Sequence, residues 1–218
     1  MKGIKGLATY ALLGGVALGL AACGGTAQQE LGEDYAYVND ISGMEPDPIY
    51  PRSWVKPGFK DVDQYSHFII QDVEVVKSGE GLDLEDVARV QAYFRDAVKE
   101  KLQEGGYSVV DAPQDDTMII KLSIVGLEVP SGAAANVATS LMIGVSTSVG
   151  EVTVEGAFID AATGEVQAVV ADSRRGSYAN ASPWSSWQDI EDSMDDWAQE
   201  MRMSFDDIHE RAGKKMEQ

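Results

Sequence analysis

Cysteine is almost missing from this 218-residue chain, which has one, at position 23. That excludes an intramolecular disulfide framework, a Cys-x-x-Cys redox motif and any multi-Cys metal site. Bases are scarce too: 17 Lys and Arg stand against 36 Asp and Glu, a net charge of −19. Nucleic-acid binders concentrate Lys and Arg, so no nucleic-acid partner is expected, and docking on anionic headgroups through a basic patch is excluded likewise. The chain lacks a glycine-rich phosphate loop, a Gly-x-Ser-x-Gly elbow and a His-Glu-x-x-His pair. Its two histidines, His67 and His209, lie far apart and in no catalytic motif. Carboxylates are so abundant that no one pair is informative, and a solvated acidic surface accounts for them. Asp111, Asp115 and Asp116, and the acids from Asp189 to Asp196, cluster without the ligand spacing of an EF-hand loop. The expectation is a protein that is not an enzyme, with no catalytic residue, no metal site and no cofactor.

What is present is apolar material for a core, 44% of residues, at a length that suits one domain. The N-terminus reads as an address. Lys2 and Lys5 precede an uncharged stretch from Leu7 to Ala22, diluted by Gly14, Gly15 and Gly19 and shorter than the about 20 apolar residues of a spanning helix. Leu20-Ala21-Ala22-Cys23 resembles a bacterial lipobox. Residues 1–22 are then a lipoprotein signal peptide, and Cys23 carries the acyl chains (palmitate among them) that hold the mature chain on a membrane. Two chains suffice for stable anchoring, since each buried methylene contributes about 0.8 kcal/mol. Gly24 after the cysteine, rather than Asp, implies an outer-membrane lipoprotein facing the periplasm.

Residues 23–63 read as an acylated tether and arm. Pro46, Pro48, Pro51 and Pro57 deny it a sustained period, while Tyr50, Trp54 and Phe59 imply that its later part lies against the domain. The α+β domain spans 64–212. His67–Val76 is the first strand, and Leu82-Asp83-Leu84-Glu85-Asp86 opens a helix with Asp83 as cap and Leu82 stapling onto Val87. That helix ends at Gly105-Gly106. Tyr107–Val110, then Met118 to Ile124 in alternation, give the second and third strands. Val152 to Phe158 and Val166 to Val170 are the fourth and fifth, joined by a hairpin turn at Asp160–Glu165 with Gly164 in a left-handed position. Ser182-Pro183 begins the last helix. The order β-α-β-β-β-β-α implies an α+β two-layer sandwich, a mixed sheet of about five strands with two main helices on one face.

Three features carry candidate contacts. The last helix bears Trp184, Trp187, Ile190, Met194, Trp197, Met201, Phe205 and Ile208 at steps of three or four. The stripe serves as core, with Trp197 against the sheet, while Trp184 and Trp187 at its start are candidate partner contacts, because Trp is favoured at hot spots. Arg174 and Arg175 stand out among so few cations; each is a candidate for pairing with an acid such as Asp172 or for a partner contact. Residues 129–150 carry no charge and read either as a connection or as a flap touching a partner.

The chain resembles the bacterial lipoproteins grouped as domain of unknown function 3313. The similar landmarks are Tyr65-Ser66-His67-Phe68-Ile69-Ile70, Leu84-Glu85-Asp86 through Tyr93-Phe94, and Gly106-Tyr107-Ser108-Val109-Val110-Asp111. Asp160 through Val166, Asp172-Ser173-Arg174-Arg175-Gly176 and Trp187 with Trp197-Ala198 follow in order. The resemblance implies a cell-envelope compartment and supplies no catalytic residues. Two roles fit: a lipoprotein binding an envelope protein in an assembly or accessory role, or a periplasmic module binding a small apolar or lipid ligand between sheet and helices. A deep apolar cavity favours the second.

Overall fold

The structure, a computed structural model, describes residues 27–29, 31, 38–59, 62–76, 82–128, 151–175 and 186–216. Two helices, α1 (Leu84–Glu104) and α2 (Ser186–Met216), lie on one face of a mixed sheet. α1 begins as its sequence dictates: Asp83 Oδ1 accepts from the amides of Glu85 and Asp86 at 2.9 Å each, and Asp86 reaches back to the Asp83 amide. It stops where Gly106 turns to φ +83° and the Tyr107 amide bonds back to the Leu102 carbonyl at 3.0 Å.

The run from His67 to Val76 is two strands rather than one. β4 (His67–Ile70) and β5 (Glu74–Val75) both lie parallel to β7 (Thr117–Glu128). Ile70 pairs with Ile120 but Glu74 with Ser123, so the first strand spends four steps against its partner's three. This extra residue breaks the ladder. β6 (Ser108–Val109), reached through α1, pairs parallel to β4 as the sheet's edge. β7, β8 (Glu151–Asp160) and β9 (Val166–Arg175) then form an antiparallel meander. Its β8–β9 turn holds Gly164 at φ +72°, as Thr163-Gly164 implies.

The arm is woven into this sheet. β1 (Ala27–Gln29) and β3 (Ser53–Val55) pair antiparallel with successive parts of β9, and β2 (Glu45–Pro46) closes a hairpin with β3. The path order is β2-β3-β9-β8-β7-β4-β6. Val38 and Asn39 lie on the face opposite the helices. There the fully buried Glu155 accepts hydrogen bonds from the Val38 amide (3.1 Å), the Asn39 amide (2.7 Å) and Asn39 Nδ2 (2.6 Å). Three donors on one carboxylate make its burial tolerable.

The core lies between sheet and helices. Phe94, Val98 and Leu102 of α1 and Ile190, Met194 and Trp197 of α2 are buried over Phe68, Met118, Ile120 and Ile124. Phe205 stacks on Phe68 at 5.2 Å between ring centres, and Tyr107 meets both edge-on at 5.7 Å. Cations being few, neutral hydroxyls tie down acids: Tyr50 donates to Asp207 (2.8 Å), Tyr65 to Asp160 (2.9 Å), Tyr93 to Asp195 (3.0 Å) and Tyr107 to Asp206 (2.9 Å). Among the described residues, no helix is long and apolar enough to cross a membrane.

Candidate functional site: an apolar cavity under the arm

The two layers separate on the β9 side and enclose a cavity of about 460 Å³, within the 300–1,000 Å³ of small-molecule sites. Its floor is hollow because the residues there are small. Gly156 on β8 has no side chain, and its neighbours Ala168 and Val170 on β9 are short. Val170 and Leu122 close over Gly156, where a Cβ would sit 3.1 Å from Val170 Cγ1 and 3.7 Å from Leu122 Cδ2, so the opening lies at Ala168. Trp197, Met201, Phe205 and Ile208, one apolar side of α2, form the roof. Ala168, Val170, Phe158 and Met201 stay half-buried although they lie between the layers, so the hollow reaches solvent.

The third wall is the β2–β3 hairpin. Its loop is shaped locally: Asp47 Oδ1 accepts from the amides of Ile49 (2.7 Å) and Tyr50 (2.9 Å), and Pro48 and Pro51 stiffen it. Arg52 completes the turn at φ +58°, the one non-glycine residue with positive φ among the described residues. Such a conformation costs free energy and persists only when surroundings hold it. Here the Arg52 carbonyl accepts the Ala171 amide at 3.0 Å and its guanidinium pairs with Asp172. Two residues earlier, Tyr50 latches onto α2: it donates to Asp207, accepts from Arg211 Nη2 at 2.8 Å, and lies under the Arg211 guanidinium at 5.6 Å. Burial and the Asp207 bond push the Tyr50 hydroxyl up to about 12.

One end of the cavity is polar. Asp172, buried on β9, accepts from Arg52, Trp197 Nε1 (2.7 Å), Gln28 Nε2 (3.0 Å) and Arg174 Nε (3.2 Å). Arg174 also donates to Glu200 (2.6 Å) and Asp196 (3.0 Å) and lies 5.4 Å from the Trp197 ring centre. Burial opposes its charge, but Glu200 and Asp172 more than offset that and keep the guanidinium protonated. Trp197 is thus both core and donor.

Arg174 is buried in its network, and Arg175 pairs with Glu151 on the neighbouring strand. Trp187 is half-buried against the core, with the Arg89 guanidinium 5.1 Å from its ring centre. Cys23, Trp184 and residues 129–150 lie outside the described residues. His67 Nδ1 meets Asp116 at 2.6 Å and His209 Nδ1 meets the Phe205 carbonyl at 2.8 Å; neither lines the cavity. The Asp116 carboxyl is held below its usual range by hydrogen bonds from Ser66 and His67. Among the described residues no group of three or more His, Cys, Asp or Glu is placed to hold a metal. Sequence reasoning missed Gly156, Ala168 and Glu200, and placed Tyr50 against the domain without assigning it to a site. Only the unusual aromatic content of the arm hinted at a wall there.

Several solved structures are similar at low identity. The PelC dodecamer from Paraburkholderia phytofirmans matches at 13% identity and TM-score 0.41, over 62% of this chain and 86% of that one. A minor lipoprotein from Acinetobacter baumannii matches at 10% and 0.35, over 65% and 92%. A Xanthomonas campestris protein of the DUF330 family matches at 9% and 0.41, over 78% and 94%. No curated protein matches by sequence. A family model described as "Protein of unknown function (DUF3313)" matches residues 27–201, most of the chain, and the protein belongs to that family.

Proposed function

We propose that this is a cell-envelope lipoprotein, anchored to the outer membrane through acylated Cys23, whose domain is not an enzyme and binds a small apolar ligand. The observation that carries the binding role is the cavity of about 460 Å³, mostly apolar with one polar end and roofed by α2. The lipobox supports the anchor and, with it, the envelope location. Ligand binding ranks ahead of docking an envelope protein because, among the described residues, the exposed large apolar side chains are dispersed. Ile49 is on the hairpin loop, Val76 follows β5, Leu84 opens α1 and Met203 is on α2.

The test is titration of a neutral naphthylamine dye into the mature chain from residue 23 carrying Cys23→Ser, which needs no detergent. Saturable binding at one dye per chain is expected, weakened at least about 10-fold in Ala168→Leu, whose larger side chain narrows the hollow. Absence of saturable binding to the unfilled chain overturns the reading. The anchor is checked separately in cells: wild type takes up a clickable fatty acid, and Cys23→Ser does not.

A further inference from the structure

Resting on that reading, we propose that the cavity selects a cationic amphiphile, a single apolar chain bearing an ammonium head. Two independent features of the lining point there. The first is charge. The charged residues lining the cavity are Asp47, Asp172 and Glu200, acids without exception. Around its polar end three carboxylates (Asp172, Asp196 and Glu200) face two guanidinium groups (Arg52 and Arg174), leaving an excess of negative charge. Glu200 leaves 60% of its side chain exposed, where a ligand head can meet it. The chain as a whole adds −19. A cleft with low-dielectric walls focuses such a field, drawing cations in and making an anionic head lose hydration against carboxylates.

The second feature is aromatic. Tyr50, Phe59, Phe94, Phe158, Trp197 and Phe205 all line the hollow. Ring faces attract ammonium groups within about 6 Å, and aromatic cages are a recurrent way of holding quaternary amines. An apolar chain alone needs only aliphatic walls. Rings and acids together suit a ligand with a greasy body and a positive end, and they disfavour fatty-acid anions, the commonest acyl compounds a lipid-binding hollow would meet.

The experiment is competition against the naphthylamine dye on the mature Cys23→Ser chain, with three ligands of equal alkyl length held below micelle formation: decyltrimethylammonium, decanol and decyl sulfate. Decyltrimethylammonium should bind at least about 10-fold more tightly than decyl sulfate, with decanol between. Salt at about 1 M, where the Debye length falls to about 3 Å, should narrow the gap, and so should Glu200→Gln. The acidic outer surface will attract the ammonium too. The filled variants Ala168→Leu and Val55→Phe, which oppose each other across the β3–β9 pair, separate the two sites. Ammonium binding undiminished in both overturns the proposal. So does sulfate binding as tightly as ammonium while dye and decanol still bind; that result spares the apolar-cavity reading. Failure of dye, decanol and ammonium alike overturns both.

Discussion

The sandwich is filled under α1 and hollow under the far half of α2. Beneath α1, Val90, Phe94, Val98 and Leu102 fill the space above Phe68, Met118 and Ile120. Beneath α2, beside β9, the sheet offers Ala168, and among the described residues it is a proline-rich hairpin that closes the gap. Both halves share one sheet and each lies under a helix, so architecture does not decide which is solid. Side-chain volume at two or three floor positions does, since folded interiors otherwise pack to crystal density.

Trp197 stands at the boundary, its ring 6.0 Å from Phe94 on the filled side and its Nε1 bonded to Asp172 on the hollow side. Trp197→Ala should therefore have the largest effect, a loss of about 3–5 kcal/mol in denaturant melts, by joining the cavity to the core and stranding part of the Asp172 network. A wild-type midpoint would show that the two halves are held together elsewhere. The same substitution made on each side sharpens the contrast. Ala97→Leu, in the filled half, should cost about 1–3 kcal/mol through overpacking, whereas Ala168→Leu should lose no more than about 1 kcal/mol. Equal costs would mean that the hollow collapses in solution.

Much of the filled half was legible. The Asp83 cap, the Gly105-Gly106 stop and the alternation from Met118 to Ile124 are local signals, and each sets its own element. Trp197 was legible as core because its neighbours recur at helical steps. The hollow half was not. β2 and β3 have two and three residues, too few for any period, and exist because β9 offers them an edge. The cavity itself depends on what Ala168 leaves out, and a small residue in a strand announces nothing by itself. The tyrosine–aspartate bonds join positions 95 to 157 apart, beyond any local pattern.

Two smaller tests address the supports of the two halves. Gly164→Val, at the β8–β9 turn, should cost about 1–3 kcal/mol because a β-branched residue is strained at φ +72°. An unchanged melting temperature would show that the turn relaxes. Tyr93→Phe, linking α1 to α2, should cost only about 1 kcal/mol at neutral pH. Its signature is alkaline. Burial and the Asp195 bond raise the Tyr93 hydroxyl from 10.0 to about 12, so below pH 10 both folded and unfolded chains hold the proton and the stabilisation is complete. Between pH 10 and 12 the unfolded chain ionises first and that stability drains away. Wild type should thus lose stability across this interval faster than Tyr93→Phe, and parallel curves would place the alkaline loss at other groups.

The pairing of β1 with β9 also limits how far the molecule can travel. Ala27 is opposite Arg175, and four steps of chain separate it from Cys23. At about 3.3–3.6 Å per residue this leash is at most about 14 Å long. Acylated as proposed, the protein is moored rather than trailed on a forty-residue line. On that proposal, the end of the sheet where Ala27, Arg175, Glu151 and Glu128 stand in one row would face the bilayer. On the same proposal, anything the domain binds would have to be collected within a molecule's breadth of that surface.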